Sequence, residues 1–145
     1  GVRYIRLHTL AHMLNRELAL QCGYGAASIR ERIYADVEGE QNQAGVLIYT
    51  AAADSDGTLG GLVELGKPEN FGPILEKALD RAMVCASDPL CSEHDPTKDQ
   101  SLHGAACYAC ALVSETSCES GNRYLDRALL VPTLETSSAA FFLGS

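Results

Sequence analysis

Five of the six cysteines fall between Cys85 and Cys118, and Cys91, Cys107, Cys110 and Cys118 read as C-x15-C-x2-C-x7-C. A C-x2-C pair lets one tight turn aim two thiolates at a single point, and thiolates before and after it can close a tetrahedron. Four soft thiolates suit Zn²⁺, which needs no open position when its role is structural. Six is an even number, so a disulfide framework competes, but a chain of this length buries a core without covalent staples. Thioredoxin-like redox chemistry competes as well. There, however, the C-x2-C opens a helix after a strand, whereas Cys107 follows a polar loop and has further cysteines in range. Within the site alternatives stay open: Cys85 can replace Cys91, and His94 or His103 can enter, since zinc also accepts imidazole. The favoured set is the four thiolates from Cys91 onward, with Cys85 packed at a helix end.

A second group carries a different chemistry. His8 and His12 stand four apart, with Asn15 on the same flank. Such a pair can bind a metal or move protons. The HExxH pattern is missing, because Thr9 follows His8, and Glu17 points away from that flank. Half-buried histidines bonded to nearby backbone are the commoner outcome for such a pair. Further on, ADSDGTLGGL brings Asp54 and Asp56 into a Gly-rich turn. It is neither a P-loop nor a full calcium loop. It is read as a tight turn, with anion binding by its backbone as the alternative.

These residues need elements to position them. Residues 4–22 carry an apolar stripe of Leu7, Leu10, Ala11, Leu14 and Leu18 at helical spacing, ended by Gly23 and Gly25. Cys22, far from the cluster, is read as a small buried apolar side chain. IRERIY (29–34) mixes apolar and charged residues and is read as a strand in preference to a short helix. GVLIYTAA (45–52) is the clearest strand, expected to be central. Pro68–Val84 reads as a second helix, regular from Pro73, with Ile74, Leu75, Leu79 and Met83 on one face. Residues 92–101 are loop-like, and Asn122 before RYLDRALL predicts a capped third helix. Glu119 and Asp126 are read as solvated charges. Phe141, Phe142 and Leu143 either dock on the domain or lead into further chain.

The totals describe one ordinary globular domain: 145 residues, 46% hydrophobic, mean hydropathy near zero. No segment approaches a membrane span, and no signal peptide is visible. The first residue is Gly and not Met, which suggests a chain cut from a longer one. Several unpaired cysteines fit a reducing cytoplasm. With a formal charge of −8, the domain lacks the basic stripe that phosphate binding requires, so it is not expected to hold DNA alone.

Taken together, LHTLAH, RELAL, CGY, RERIY, LIYTAAADSDGTLGGL, SDPLC, ACYACAL, ETSCE and NRYLDRALL resemble the MrfA-type zinc-binding domain. This module sits at the C-terminus of DNA-repair helicases and also occurs in the DISARM anti-phage defence system. The resemblance runs from about Tyr4 to Val131, and its most specific part is the DSDGTLGG strand exit combined with C-x2-C-x7-C. It implies a structural metal ion held by Cys91, Cys107, Cys110 and Cys118, with Cys85 outside the basic pattern. It also implies a bacterial cytoplasmic setting and a helicase subunit or domain as partner, with DNA met only through that assembly.

The expected fold is therefore α+β: a small mixed sheet packed by two or three helices, with a four-cysteine, zinc-stabilised loop region, in one domain over 1–145. Zinc in such a region contributes on the order of 10 kcal/mol, so its loss should unfold that half. The expected function is a non-catalytic module that docks a partner or positions DNA, any ATPase activity lying in a partner. One alternative is a metal-dependent hydrolase or nuclease-like domain using His8, His12, Asp54 and Asp56. Another is a pure scaffold.

Overall fold

In the computed structural model the described residues are 1–143 apart from 24, 26, 40 and 52–60. Helix α1 (Val2–Cys22) carries no Gly or Pro, and Gly23 ends it in the left-handed conformation (φ 70°), its N–H donating to Ala19 O at 3.0 Å. A long uninterrupted helix gives the other elements one rod to pack on. Strands β1 (Ile29–Tyr34) and β2 (Gly45–Thr50) pair antiparallel, from Ile29 opposite Thr50 to Tyr34 opposite Gly45. Side chains alternate along a strand, so Ile29, Glu31 and Ile33 turn inward and Arg30, Arg32 and Tyr34 outward.

Short helix α2 (Gly61–Leu65) leads into α3 (Pro68–Met83). Pro68 stands in the first turn of α3, where a missing N–H costs nothing. The helix then continues through Pro73, giving up one internal hydrogen bond there. Ile74, Ala78 and Ala82 form its buried face, with Leu75, Leu79 and Met83 partly buried against the core. That core joins Met13, Leu14 and Leu18 of α1 to Ile29, Ile74, Leu125, Leu130 and Val131. Glu17 of α1 also meets Arg81 of α3 at 2.9 Å.

The chain is thus α+β, as its pattern indicates. Among the described residues the sheet has just these two antiparallel strands, so it is not mixed and β2 is not central. The polar loop after α3 contains a single turn, α4 (Pro96–Asp99), capped by Asp95, which accepts from Thr97 N at 2.9 Å. The predicted third helix is absent. Asn122 and Tyr124 take φ near 62°, and only the 3-10 turn Arg127–Leu129 is helical. RYLDRALL spends its residues on burial instead: Leu125, Arg127 and Leu130 are all at most 1% exposed. The tail does dock. Phe142 packs on the core and its N–H donates to Leu130 O at 2.9 Å, while Arg6 lies over the Phe141 ring. No helix among the described residues is long and apolar enough to cross a membrane.

Candidate metal centre

Among the described residues, two clusters of ligand-type side chains form, and they divide the cysteines differently from the sequence pattern. In the first, Cys85, Cys91, Cys107 and Cys110 bring their sulfurs within 4.8 Å of one another. The end of α3 delivers Cys85 and the following turn delivers Cys91. Cys91 N donates to Ser87 O and Asp88 Oδ2 accepts from Cys85 N at 2.8 Å, so one carboxylate folds that turn. Cys107 and Cys110 come from a single tight turn, in which Cys110 N donates to Cys107 O at 3.2 Å. Each thiol pair is therefore set by a local turn, and packing brings the pairs together.

Distances fit the donor set. Cys85–Cys107, Cys91–Cys110 and Cys107–Cys110 are separated by 3.5, 3.7 and 3.9 Å between sulfurs. Tetrahedral Zn–S bonds of about 2.3 Å place sulfurs about 3.8 Å apart. A disulfide needs about 2.05 Å, and all six cysteines are free. Of the expected ligands, Cys91, Cys107 and Cys110 meet here. Cys118 does not, and Cys85 takes its corner. His94 and His103 also stay outside. They stack on each other with centroids 4.7 Å apart, and His94 bonds Asp99 and Ser101. Cys22 is partly exposed rather than buried, and belongs to neither cluster.

Arg127 is a residue that no sequence pattern singles out. It is completely buried, and its guanidinium donates to Ala105 O at 3.2 Å, Ala82 O at 2.8 Å, Asp88 Oδ1 at 2.9 Å and Cys91 Sγ at 3.4 Å. Four thiolates on one Zn²⁺ carry two surplus negative charges, and a buried guanidinium beside them offsets one. Backbone N–H groups contribute too, from Ser87 to Cys85 Sγ and from Cys107 to Cys110 Sγ.

The thiols differ in acidity. Burial pushes Cys91 up to about 11 against the pull of Arg127, and burial likewise raises Cys110. Burial opposes ionisation of Cys107 as well, but hydrogen bonds from Cys85 and from backbone N–H groups outweigh it and bring the thiol down to about 7. Asp88 also stays ionised: burial is outweighed by the Cys85 backbone bond and by Arg127, which hold its carboxyl below the usual range.

The second cluster is His8, His12, Glu31 and Cys118, again within 4.8 Å of one another and all buried. His8 Nε2 lies 2.9 Å from Glu31 Oε1 and 3.1 Å from Cys118 Sγ, and His12 Nε2 lies 2.9 Å from the same Oε1. Burial alone would raise Glu31, but the bonds with His12 and His8 keep it below the usual carboxylate range. The expected backbone bonds of the histidines are present, yet the carboxylate facing them comes from β1 and not from α1. Asp54 and Asp56, the expected partners in a hydrolytic site, lie outside the described residues. His8 and His12 are 0% exposed, which gives a substrate no approach to their ring nitrogens.

A chain of about this size that gathers four cysteines from two turns to within zinc-ligand distance of one another belongs to the class of zinc-binding modules. The family model of the MrfA Zn-binding domain matches residues 10–111. The chain belongs to this family, and the matched span contains Cys85, Cys91, Cys107 and Cys110 while stopping short of Cys118. Zinc is accordingly the metal that the donor set and the family both fit. The chain is also 48% identical over 141 residues to the DISARM protein DrmB of Bacillus paralicheniformis, covering 97% of this chain and 24% of that protein. It thus spans about a quarter of the length of the curated relative it matches.

Proposed function

We propose that the chain is a non-catalytic zinc module in which Cys85, Cys91, Cys107 and Cys110 hold one structural Zn²⁺, and that it serves a DISARM-like anti-phage assembly by docking a helicase partner. The observation that carries the reading is the closed set of four thiols, which leaves no coordination position for a substrate. The bound ion supplies a fixed cross-link between the end of α3 and the 107–110 turn. The chain's own residues do the rest. Asp88 folds the Cys85–Cys91 turn, Cys107 N–H and Ser87 N–H donate to sulfur, and Arg127 ties the turn to Ala82 and Ala105.

Support for the setting comes from the similarity to the DISARM protein DrmB and from membership of the MrfA Zn-binding family. A charge of −8 favours a basic protein surface over phosphates, so DNA is met through the assembly. The test pairs a pull-down with a gel shift. The chain alone should leave duplex and single-stranded DNA unshifted, should capture a helicase subunit of a DISARM system, and should retard DNA when that subunit is added. Metal-dependent cleavage of DNA by the chain alone, or failure to capture the helicase, would overturn the reading.

A further inference from the structure

Counting protons in the second cluster leads to a metal. His8 Nδ1 faces Tyr124 O at 3.2 Å and His12 Nδ1 faces Ala111 O at 2.9 Å. A carbonyl only accepts, so both rings carry their proton on Nδ1. Each Nε2 of a neutral ring is then a bare lone pair, and both lone pairs point at Glu31 Oε1, itself an acceptor, 2.9 Å away. Cys118 Sγ completes the group, and Asn122 N–H already donates to that sulfur at 3.2 Å. Acceptors gathered on one point in a sealed interior need either protons or a metal ion between them.

Protons on both Nε2 atoms would set two imidazolium rings side by side in the core, centroids 4.5 Å apart, on one shared oxygen, and a Cys118 thiol donating to His8 would still leave His12 and Glu31 one proton to share. A single divalent ion replaces both protons. With two neutral imidazoles, a carboxylate and a thiolate it forms a site of zero net charge, which suits complete burial. The supporting bonds also follow the pattern of metal sites, in which a ligating histidine donates its other N–H to a backbone carbonyl and ligating carboxylates are themselves bonded. Here Asn15 Nδ2 donates to Glu31 Oε2 at 3.2 Å. Tyr124 adopts φ 62°, an unfavourable region for a non-glycine residue, and in this conformation presents its carbonyl to His8.

We infer that His8, His12, Glu31 and Cys118 form a second, closed zinc site that cross-links α1, β1 and the segment after the 3-10 turn Glu115–Ser117. Nitrogen, oxygen and sulfur ligands at about 2.0–2.3 Å suit Zn²⁺, and the present separations open by a few tenths of an ångström to reach a tetrahedron. Four buried ligands leave no open position, so this ion too is structural. It explains why the C-x15-C-x2-C-x7-C run splits: its last cysteine serves the other ion.

The test is zinc content per chain in the purified full chain, by plasma mass spectrometry, for wild type and for Cys118→Ala, His12→Gln and Cys107→Ser. Cys118→Ala and His12→Gln should each carry one zinc fewer than wild type while keeping the sulfur-rich ion. Cys107→Ser should lose the sulfur-rich ion and keep the mixed one. Zinc content unchanged in both Cys118→Ala and His12→Gln overturns the inference. Where a variant fails to fold, X-ray absorption at the zinc edge of the wild type decides. Five sulfur and three nitrogen or oxygen ligands over two ions support the second site, and sulfur ligands alone overturn it. A mixed shell without the sulfur-only ion would keep this inference and remove the thiolate site proposed above.

Discussion

Arg127→Met is the perturbation that most directly tests how the thiolate site is held. It removes the only formal positive charge bonded to Asp88 and Cys91 among the described residues, while filling a similar volume with apolar atoms. Asp88, 3% exposed at its side chain, would keep just the backbone donors Cys85 N and Ser92 N. Ala82 O and Ala105 O would each lose a donor. Breaking a buried ion pair from one side costs about 3–5 kcal/mol, a large part of the roughly 5–15 kcal/mol that typically holds a domain together. Urea unfolding of the zinc-loaded chain, followed by circular dichroism, should show that loss as a lower midpoint at unchanged slope. Zinc should also pass to a competing chelator at lower chelator concentration. Adding Asp88→Asn should recover part of the loss, because it removes the stranded charge, with a coupling of about 0.5–3 kcal/mol in the double-mutant cycle. A loss below about 1 kcal/mol with unaltered zinc transfer would refute the idea that the guanidinium supports the site.

Three further outcomes are expected. Zinc binding to the metal-free chain at pH 7 should release about two or more protons, because burial raises Cys91 and Cys110 and keeps both protonated there. Affinity should accordingly climb with pH through the range up to about 11 set by Cys91 and fall as pH drops, which calorimetry in buffers of different ionisation enthalpy reads directly. Gly104→Ala should destabilise by about 1–3 kcal/mol in thermal unfolding, since its Cβ would run into the Asp126 carboxylate that caps Ala128 N and Ala105 N. Cys85→Ser should lower zinc affinity as strongly as Cys110→Ser does, whereas Cys22→Ser should leave zinc content unchanged, in a chelator competition assay.

Periodicity carried far where a segment's burial follows its own repeat. The α1 stripe and the Gly23 stop, the β2 run and the Ile74 face of α3 were all legible, because one apolar face per element suffices to fix them. The Cys107–Cys110 hook was legible for a similar reason, since a two-residue turn sets it locally. IRERIY is legible as a strand only by a narrow margin over a helix, because Glu31 occupies a core-facing position that normally holds an apolar residue and is met there by His8, His12 and Asn15 of α1. RYLDRALL misled because Arg127, which looks like a solvent-facing helical residue, is spent on carbonyls, Asp88 and a thiol far away in sequence. Asp126, read as a solvated charge, caps two backbone N–H groups instead. Residue types alone thus determined that thiolates and imidazoles were present in numbers suited to metal. Spacing cannot decide which cysteine joins which cluster. Cys118 follows Cys110 after only seven intervening residues, near enough in chain to close the same tetrahedron, yet the left-handed turn through Asn122 and Tyr124 belongs to the wall beside His8. That partition follows from how α1, β1 and the 107–118 segment pack, and packing is a property of the whole fold.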